Sequence, residues 1–163
     1  MRHPLAAALF FAAICILRPA ASFAQIEEVR IGVDGLTCNL CAAGLERSLR
    51  KLDGVSSVQV ALADETATVQ LKAGAGFDPD QFRTAVRNAG QEARHFELRL
   101  SGAVQRQDGR YSLQPGAGSP LAVGRSSAAR LESYVGKVVR VRARLSSPAR
   151  SPLELEVTHV AAR

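Results

Sequence analysis

The sequence predicts an α+β chain of two modules, a β-α-β-β-α-β unit followed by a smaller one of five short strands and one helix. Three observations predict it. Period-two and 3.6-period apolar patterns succeed one another in the first order over residues 25–100. The pattern then changes to short strands between polar turns, and the charge balance changes sign at the same place. Residues 27–100 carry nine Lys and Arg against eleven Asp and Glu, whereas residues 101–163 carry ten against four. An acidic module is joined to a basic one.

The leading residues belong to neither. Arg2 and His3 precede an almost unbroken apolar run from Leu5 to Leu17, and Ser22-Phe23-Ala24 sets small residues at the two cleavage-defining positions. Residues 1–24 therefore read as a signal peptide, with an uncleaved anchor or a lipid attachment at Cys15 as the alternatives, the latter disfavoured by the bulk of Ile14, and the protein is expected to be periplasmic or secreted. The apolar run, roughly 13 residues, is short of the ~20 that a membrane-spanning helix needs. Cleavage after Ala24 removes Cys15 and Met1, which leaves Cys38 and Cys41 as the only sulfur-bearing side chains of the mature chain.

In the first module, residues 25–98, Val29, Ile31 and Val33 alternate with Arg30 and Gly32 as in a half-buried strand. Leu45, Leu49 and Leu52 then recur at i, i+4 and i+7 while Glu46, Arg47, Arg50 and Lys51 face away, an amphipathic helix ended by Asp53-Gly54. Val58, Val60 and Leu62, followed by Ala67, Val69 and Leu71, make a hairpin that turns at Ala63-Asp64-Glu65. Asp78 can cap a second helix, with Pro79 at its first position and Gln81 completing a capping box. Phe82, Ala85, Val86 and Ala89 form its apolar stripe, Gly90 closes it, and residues 91–100 return to a strand. This is the ferredoxin-like order, which hosts many activities and says little about function by itself.

The loop before the first helix says more. Gly35-Leu36-Thr37-Cys38-Asn39-Leu40-Cys41 sets two thiols three residues apart across a helix start, where the partial positive charge of the helix favours thiolates. A pair of soft thiolates selects soft ions. The same pair could instead form a structural or redox disulfide, which an oxidising compartment makes reasonable. Thr37 stands where a thioredoxin-like motif usually has an aromatic. Structural zinc is disfavoured, since it wants four ligands and no second Cys/His cluster has matching spacing. Asp34 could add a ligand for a harder ion, though Asp-Gly is ordinary turn chemistry. His95 and His159 are isolated and read as strand or surface residues.

These residues resemble the heavy-metal-associated domain family, which includes copper chaperones, the metal-binding domains of copper-transporting ATPases and periplasmic mercury-binding proteins. The family signature Gly-Met-x-Cys-x-x-Cys is matched except that Leu36 replaces Met, and Leu36 is still expected to pack beneath the loop. Leu52-Asp53-Gly54-Val55-Ser56-Ser57-Val58 resembles the passage from first helix to second strand, and Ala89-Gly90 the end of the second helix. The resemblance implies that Cys38 and Cys41 bind Cu(I) or Hg(II) and pass it to a metal-transporting or metal-receiving protein with exposed thiolates, or sequester it. Gln91 stands where the family often has Tyr or Lys, and it cannot supply the Lys charge that offsets a bis-thiolate site. An enzyme is not expected, because no Ser-His-Asp set, phosphate loop or paired catalytic carboxylates stand out.

In the second module, residues 99–163, strands are expected around Ala103-Val104, Tyr111 and Leu113, Leu121 and Val123, residues 137–145 and residues 153–160, with a helix bearing Ala128, Leu131 and Val135 and ended by Gly136. Five strands with a helix between the third and fourth is the order of an OB-like β-barrel. Tyr134 to Val141 resembles the entry to the fourth strand of small exported OB-like domains. In that strand Val139, Val141, Ala143 and Leu145 face one way and Arg140, Arg142 and Arg144 the other. The Arg face reads as a solvated sheet surface, or as a docking surface for an acidic partner, an anionic membrane surface or the acidic neighbouring module, and in the docking case the chain would be an adaptor acting through this basic OB-like module. Nucleic acid is not expected, since only Tyr111 and Tyr134 could stack bases. One strand over residues 91–106 is expected to end the first module and begin the second, coupling them rigidly.

Overall fold

The computed structural model describes residues 25–116, 119–146 and 154–162. The expected signal peptide, with Cys15, lies outside these residues. The first module runs β1 (Gln25–Asp34), α1 (Asn39–Arg50), β2 (Val55–Ala61), β3 (Thr66–Leu71), α2 (Pro79–Asn88) and β4 (Glu92–Gln107). Its antiparallel strands lie in the order β2-β3-β1-β4, which is the ferredoxin-like arrangement. Val29, Ile31 and Val33 on β1 and Val69 on β3 are fully buried beneath the helices, as are Leu45, Leu49 and Val86 from the helices themselves. Ser48 on α1 donates to the Ala85 carbonyl on α2 at 2.7 Å, which fixes the two helices against each other.

Local chemistry sets the ends of these elements. Asp78 caps α2 by accepting from the Asp80 N–H at 3.0 Å, and Pro79 opens the helix. Gly90 follows with φ +83°, a left-handed conformation that spares glycine the steric cost other residues meet there. Leu62 lies one residue beyond β2 rather than in the hairpin strand expected for it, because the turn begins there: the Glu65 N–H bonds back to the Leu62 carbonyl at 3.1 Å. On β1, Gly32 lies opposite His95, and a Cβ at that position would collide with the imidazole.

After β4 the chain forms β5 (Arg110–Gln114), β6 (Leu121–Val123), α3 (Arg125–Leu131), a 3₁₀ turn (Glu132–Tyr134), β7 (Val138–Ser146) and β8 (Glu154–Ala162). The five strands and the intervening helix thus occur in the expected order. Pairings run β4 to β5, β5 to β6, β6 to β8, β8 to β7 and β7 back to β4, so they close a ring. The β6–β8 pairing is parallel and the others are antiparallel. Inside the ring lie Val104, Leu113, Leu131, Val139, Val141, Ala143, Leu145, Leu155 and Val157, each at most 4% exposed.

One expectation fails in this module. Val135 is not on the helix face. The chain tightens to 3₁₀ after Leu131, Val135 turns extended and 43% exposed, and its backbone bridges to Val104. The Gly136 N–H donates to the Val104 carbonyl at 2.9 Å and the Lys137 carbonyl accepts from Val104 at 3.0 Å. Backbone pairing outcompetes one more turn of helix.

The strand β4 is 16 residues long and passes through Leu98 without a break. One edge pairs with β1 over Glu92–Ser101 and then with β5 over Ala103–Gln107, while the other pairs with β7 over His95–Ala103. Phe96, Leu98 and Leu100 point into the apolar interior of both modules, and the buried apolar residues form one continuous core. Their alternates Glu97 and Arg99 lie on the outer face, which is continuous across the module boundary.

Candidate metal centre

The loop between β1 and α1 is held from below and from the side. Leu36 is 3% exposed and anchors it in the core, as its place in the motif requires. Gly35 adopts φ +84°, so the chain reverses sharply out of β1. Asp34 at the strand end faces Arg94 on β4 at 3.2 Å, and Arg94 also reaches Glu65 of the β2–β3 turn at 3.3 Å. Asp34 is thereby engaged as a loop tether. Among the described residues no group of three or more His, Cys, Asp or Glu side chains comes together as a metal site.

Cys38 is the N-cap of α1 and Cys41 lies in its first turn. The Cys38 sulfur accepts from the Cys41 N–H at 3.0 Å, the role a Ser or Asp oxygen plays at other helix starts. No acidic residue lies in that turn, so the partial positive charge of the helix end acts on the sulfurs undiluted. The two sulfurs are joined as a disulfide, with Cα atoms 5.1 Å apart. Cys38 is exposed and Cys41 half-buried against the core. Between them Leu40 is 77% exposed.

Gln91 lies beneath this loop. It is 6% exposed, and its Cγ would lie 3.8 Å from a Cβ placed on Gly35. Its Oε1 is buried without a hydrogen-bond partner among the described residues. A buried amide oxygen left unpaired costs about 1–3 kcal/mol, so the position is occupied at some expense. The sequence motif located the residue but gave no sign of its burial.

Residues 30–92 match the family described as the heavy-metal-associated domain. That segment is a heavy-metal-associated domain. Copper-transporting ATPase 1 of Rhizobium meliloti is 35% identical over 83 residues, which is 51% of this chain and 10% of that protein. Copper-transporting ATPase 2 of Homo sapiens is 35% identical over 70 residues, 43% of this chain and 5% of that protein. The chain therefore spans a tenth or less of the length of these relatives. Among solved structures, the CopZ metallochaperone is 26% identical, covering 40% of this chain and 97% of its own, with a TM-score of 0.38. Oxidized MerP from Ralstonia metallidurans CH34 is 25% identical, covering 42% and 94%, also with a TM-score of 0.38.

The two histidines stay away from the cysteine loop. His95 stacks over the β1 backbone at Gly32, 3.8 Å from Glu97. His159 is exposed on β8, paired in register with Arg142. Of the basic stripe, Arg140 reaches Glu27 at 3.5 Å and Arg144 bonds Glu97 at 2.7 Å. Two of its three arginines are thus turned onto glutamates of the acidic module.

Proposed function

We propose that the protein is exported, with residues 1–24 as its signal peptide, and that its heavy-metal-associated domain carries one soft ion between the thiolates of Cys38 and Cys41. The observation that carries this reading is the placement of both cysteines at the start of α1, with Cys38 exposed, in a domain of this family. Two metal–thiolate bonds of about 2.3 Å set the sulfurs at most ~4.6 Å apart, a span that side-chain rotation supplies when the Cα atoms are 5.1 Å apart. The copper-transporting relatives favour Cu(I) as the cargo, and Hg(II) suits the same two sulfurs.

The protein acts as a carrier or sequestering protein rather than an enzyme. With two ligands the ion stays open to an incoming thiolate from a metal-transporting partner, so it can pass through a three-sulfur intermediate without release. Cys38 exchanges first because it is the more exposed of the pair. Leu40 offers an apolar tip for such a partner. The second module is an OB-like barrel over residues 99–163, following the metal domain at 25–98; the closed ring of five strands, with a helix between the third and fourth, supports this.

Titration of the reduced protein with Cu(I) and Hg(II) against a competing chelator tests the reading. Tight one-to-one binding that vanishes in the Cys38→Ser, Cys41→Ser double variant is expected, and unchanged affinity in that variant would sink it. The joined sulfurs favour a second reading, a thiol-disulfide exchange protein using the same pair. Turnover on a disulfide substrate combined with weak metal affinity would select it.

A further inference from the structure

The outer face of the shared sheet carries two neighbouring rows of charge, each running in register across β1, β4, β7 and β8. The first row is Arg30, Glu97, Arg144 and Glu156, so the sign alternates at every step. The second is Glu28, Arg99, Arg142 and His159. Alternation holds from Glu28 to Arg99, an ion pair at 3.5 Å, and fails at the next step, where two arginines stand directly opposite. Like charges opposed across neighbouring strands repel. Arg142 has no ion-pair partner among the described residues, and His159 beyond it supplies no negative charge.

We propose that Arg99, Arg142 and His159 form a binding site for one tetrahedral oxyanion of the phosphate class, which supplies the negative charge missing from the row. A depression of about 330 Å³ lies over these three residues and is bordered by Arg140 and Glu27. Guanidinium forks match phosphate oxygens, and the bond is charge-assisted on both sides. Donors from three adjacent strands suit the several oxygens of a phosphate better than the two of a carboxylate. Glu28 and Glu27 engage Arg99 and Arg140 from the flank, which orients those side chains and leaves Arg142 facing the depression. The phosphate is either free or the head of an anionic lipid, since both present the same oxygens. The site does not involve the cysteines, so it stands or falls separately from the metal reading.

The test uses the full chain in a buffer free of phosphate and sulfate. Inorganic phosphate is titrated while amide NMR shifts and the thermal midpoint are followed, and phosphatidylglycerol vesicles are compared with phosphatidylcholine vesicles by cosedimentation. Expected are saturable shifts centred on Arg99, Arg142 and His159 and a midpoint that rises with phosphate. Arg142→Gln weakens phosphate binding about tenfold or more, the loss of one charge-assisted fork, and raises the midpoint in phosphate-free buffer by relieving the opposed charges. Arg144→Gln, which removes a cation already paired with Glu97, leaves phosphate binding within about twofold. Vesicle binding that is lost in Arg142→Gln identifies the lipid headgroup, and phosphate binding without vesicle binding identifies the free anion. The proposal is overturned by shifts that do not saturate, by phosphate or vesicle binding that survives Arg142→Gln, or by a lower midpoint of that variant without phosphate.

Discussion

On the ferredoxin-like side, β4 packs against β1 beneath two helices, and its start adjoins the loop that exposes Cys38 and holds Cys41 half-buried against the core. On the ring side, the same strand closes on β5 and β7 around its own apolar interior, and on its outer face Glu97 and Arg99 each stand in an ion pair. The first half concentrates its chemistry at the end of its strands, where the backbone is free to turn. The second spreads charge over strand faces, where the pleat dictates spacing. Because Phe96, Leu98 and Leu100 serve both interiors, the reactive loop sits on a platform that the ring helps to make rigid.

The largest expected effect separates chemistry from scaffold. The Cys38→Ser, Cys41→Ser variant should lose soft-metal affinity by several orders of magnitude while the urea midpoint of the reduced protein moves little, since neither side chain is fully buried. A large loss of stability would show that the loop is part of the scaffold.

Leu98→Ala strikes the shared strand instead. It should destabilise the protein by about 2–5 kcal/mol, the usual cost of a buried Leu-to-Ala cavity. Amide exchange in α1 and in β8 should rise together, and a rise in only one of them would break the claim of a common core. A smaller change of opposite sign is expected from Gln91→Leu. Replacing the unpaired amide with an apolar side chain should stabilise the reduced protein by about 1 kcal/mol, read from the urea midpoint.

Smallest is the pH response of the outer face. The hydrogen bond from Arg144 holds the Glu97 carboxyl below its ordinary range, and burial followed by the Arg144 charge pushes the His95 imidazole below its usual 6.5. Arg94 and Arg30 lower His95 further, while Glu97 opposes them. Both groups bind fewer protons folded than unfolded. Their stabilisation is complete above the unfolded pKa values and is lost as pH falls through the depressed folded ones. Both side chains are part-exposed, at 31% and 41%, so the contribution stays under about 1 kcal/mol. His95→Gln should flatten the fall in thermal midpoint that begins below about pH 6.5, its ordinary titration point, and leave the fall at lower pH in place.

The elements that sequence periodicity located were those with a one-sided apolar pattern, such as Leu45 and Leu49 on α1 or Val139 to Leu145 on β7. The cysteine loop was legible because its glycine, apolar anchor and cysteines are contiguous. Val135 was misplaced because its competitor for hydrogen bonds, Val104, lies 31 residues away. For the same reason the opposition of Arg99 and Arg142 could not be read: register between distant strands is written in no local pattern. The burial of Gln91 depends on packing from α2 and the β1–α1 loop at once, and a polar residue after a helix carries no mark of that.

The direction of β1 sets the reach of the metal domain. Gln25 pairs with Ser101 and Asp34 with Glu92, so the strand covers about 30 Å along the sheet. Gln25, the residue that follows the proposed cleavage site, therefore lies at the end of the strand far from the cysteines. A partner that reaches for Cys38 meets the end of the sheet opposite to Gln25.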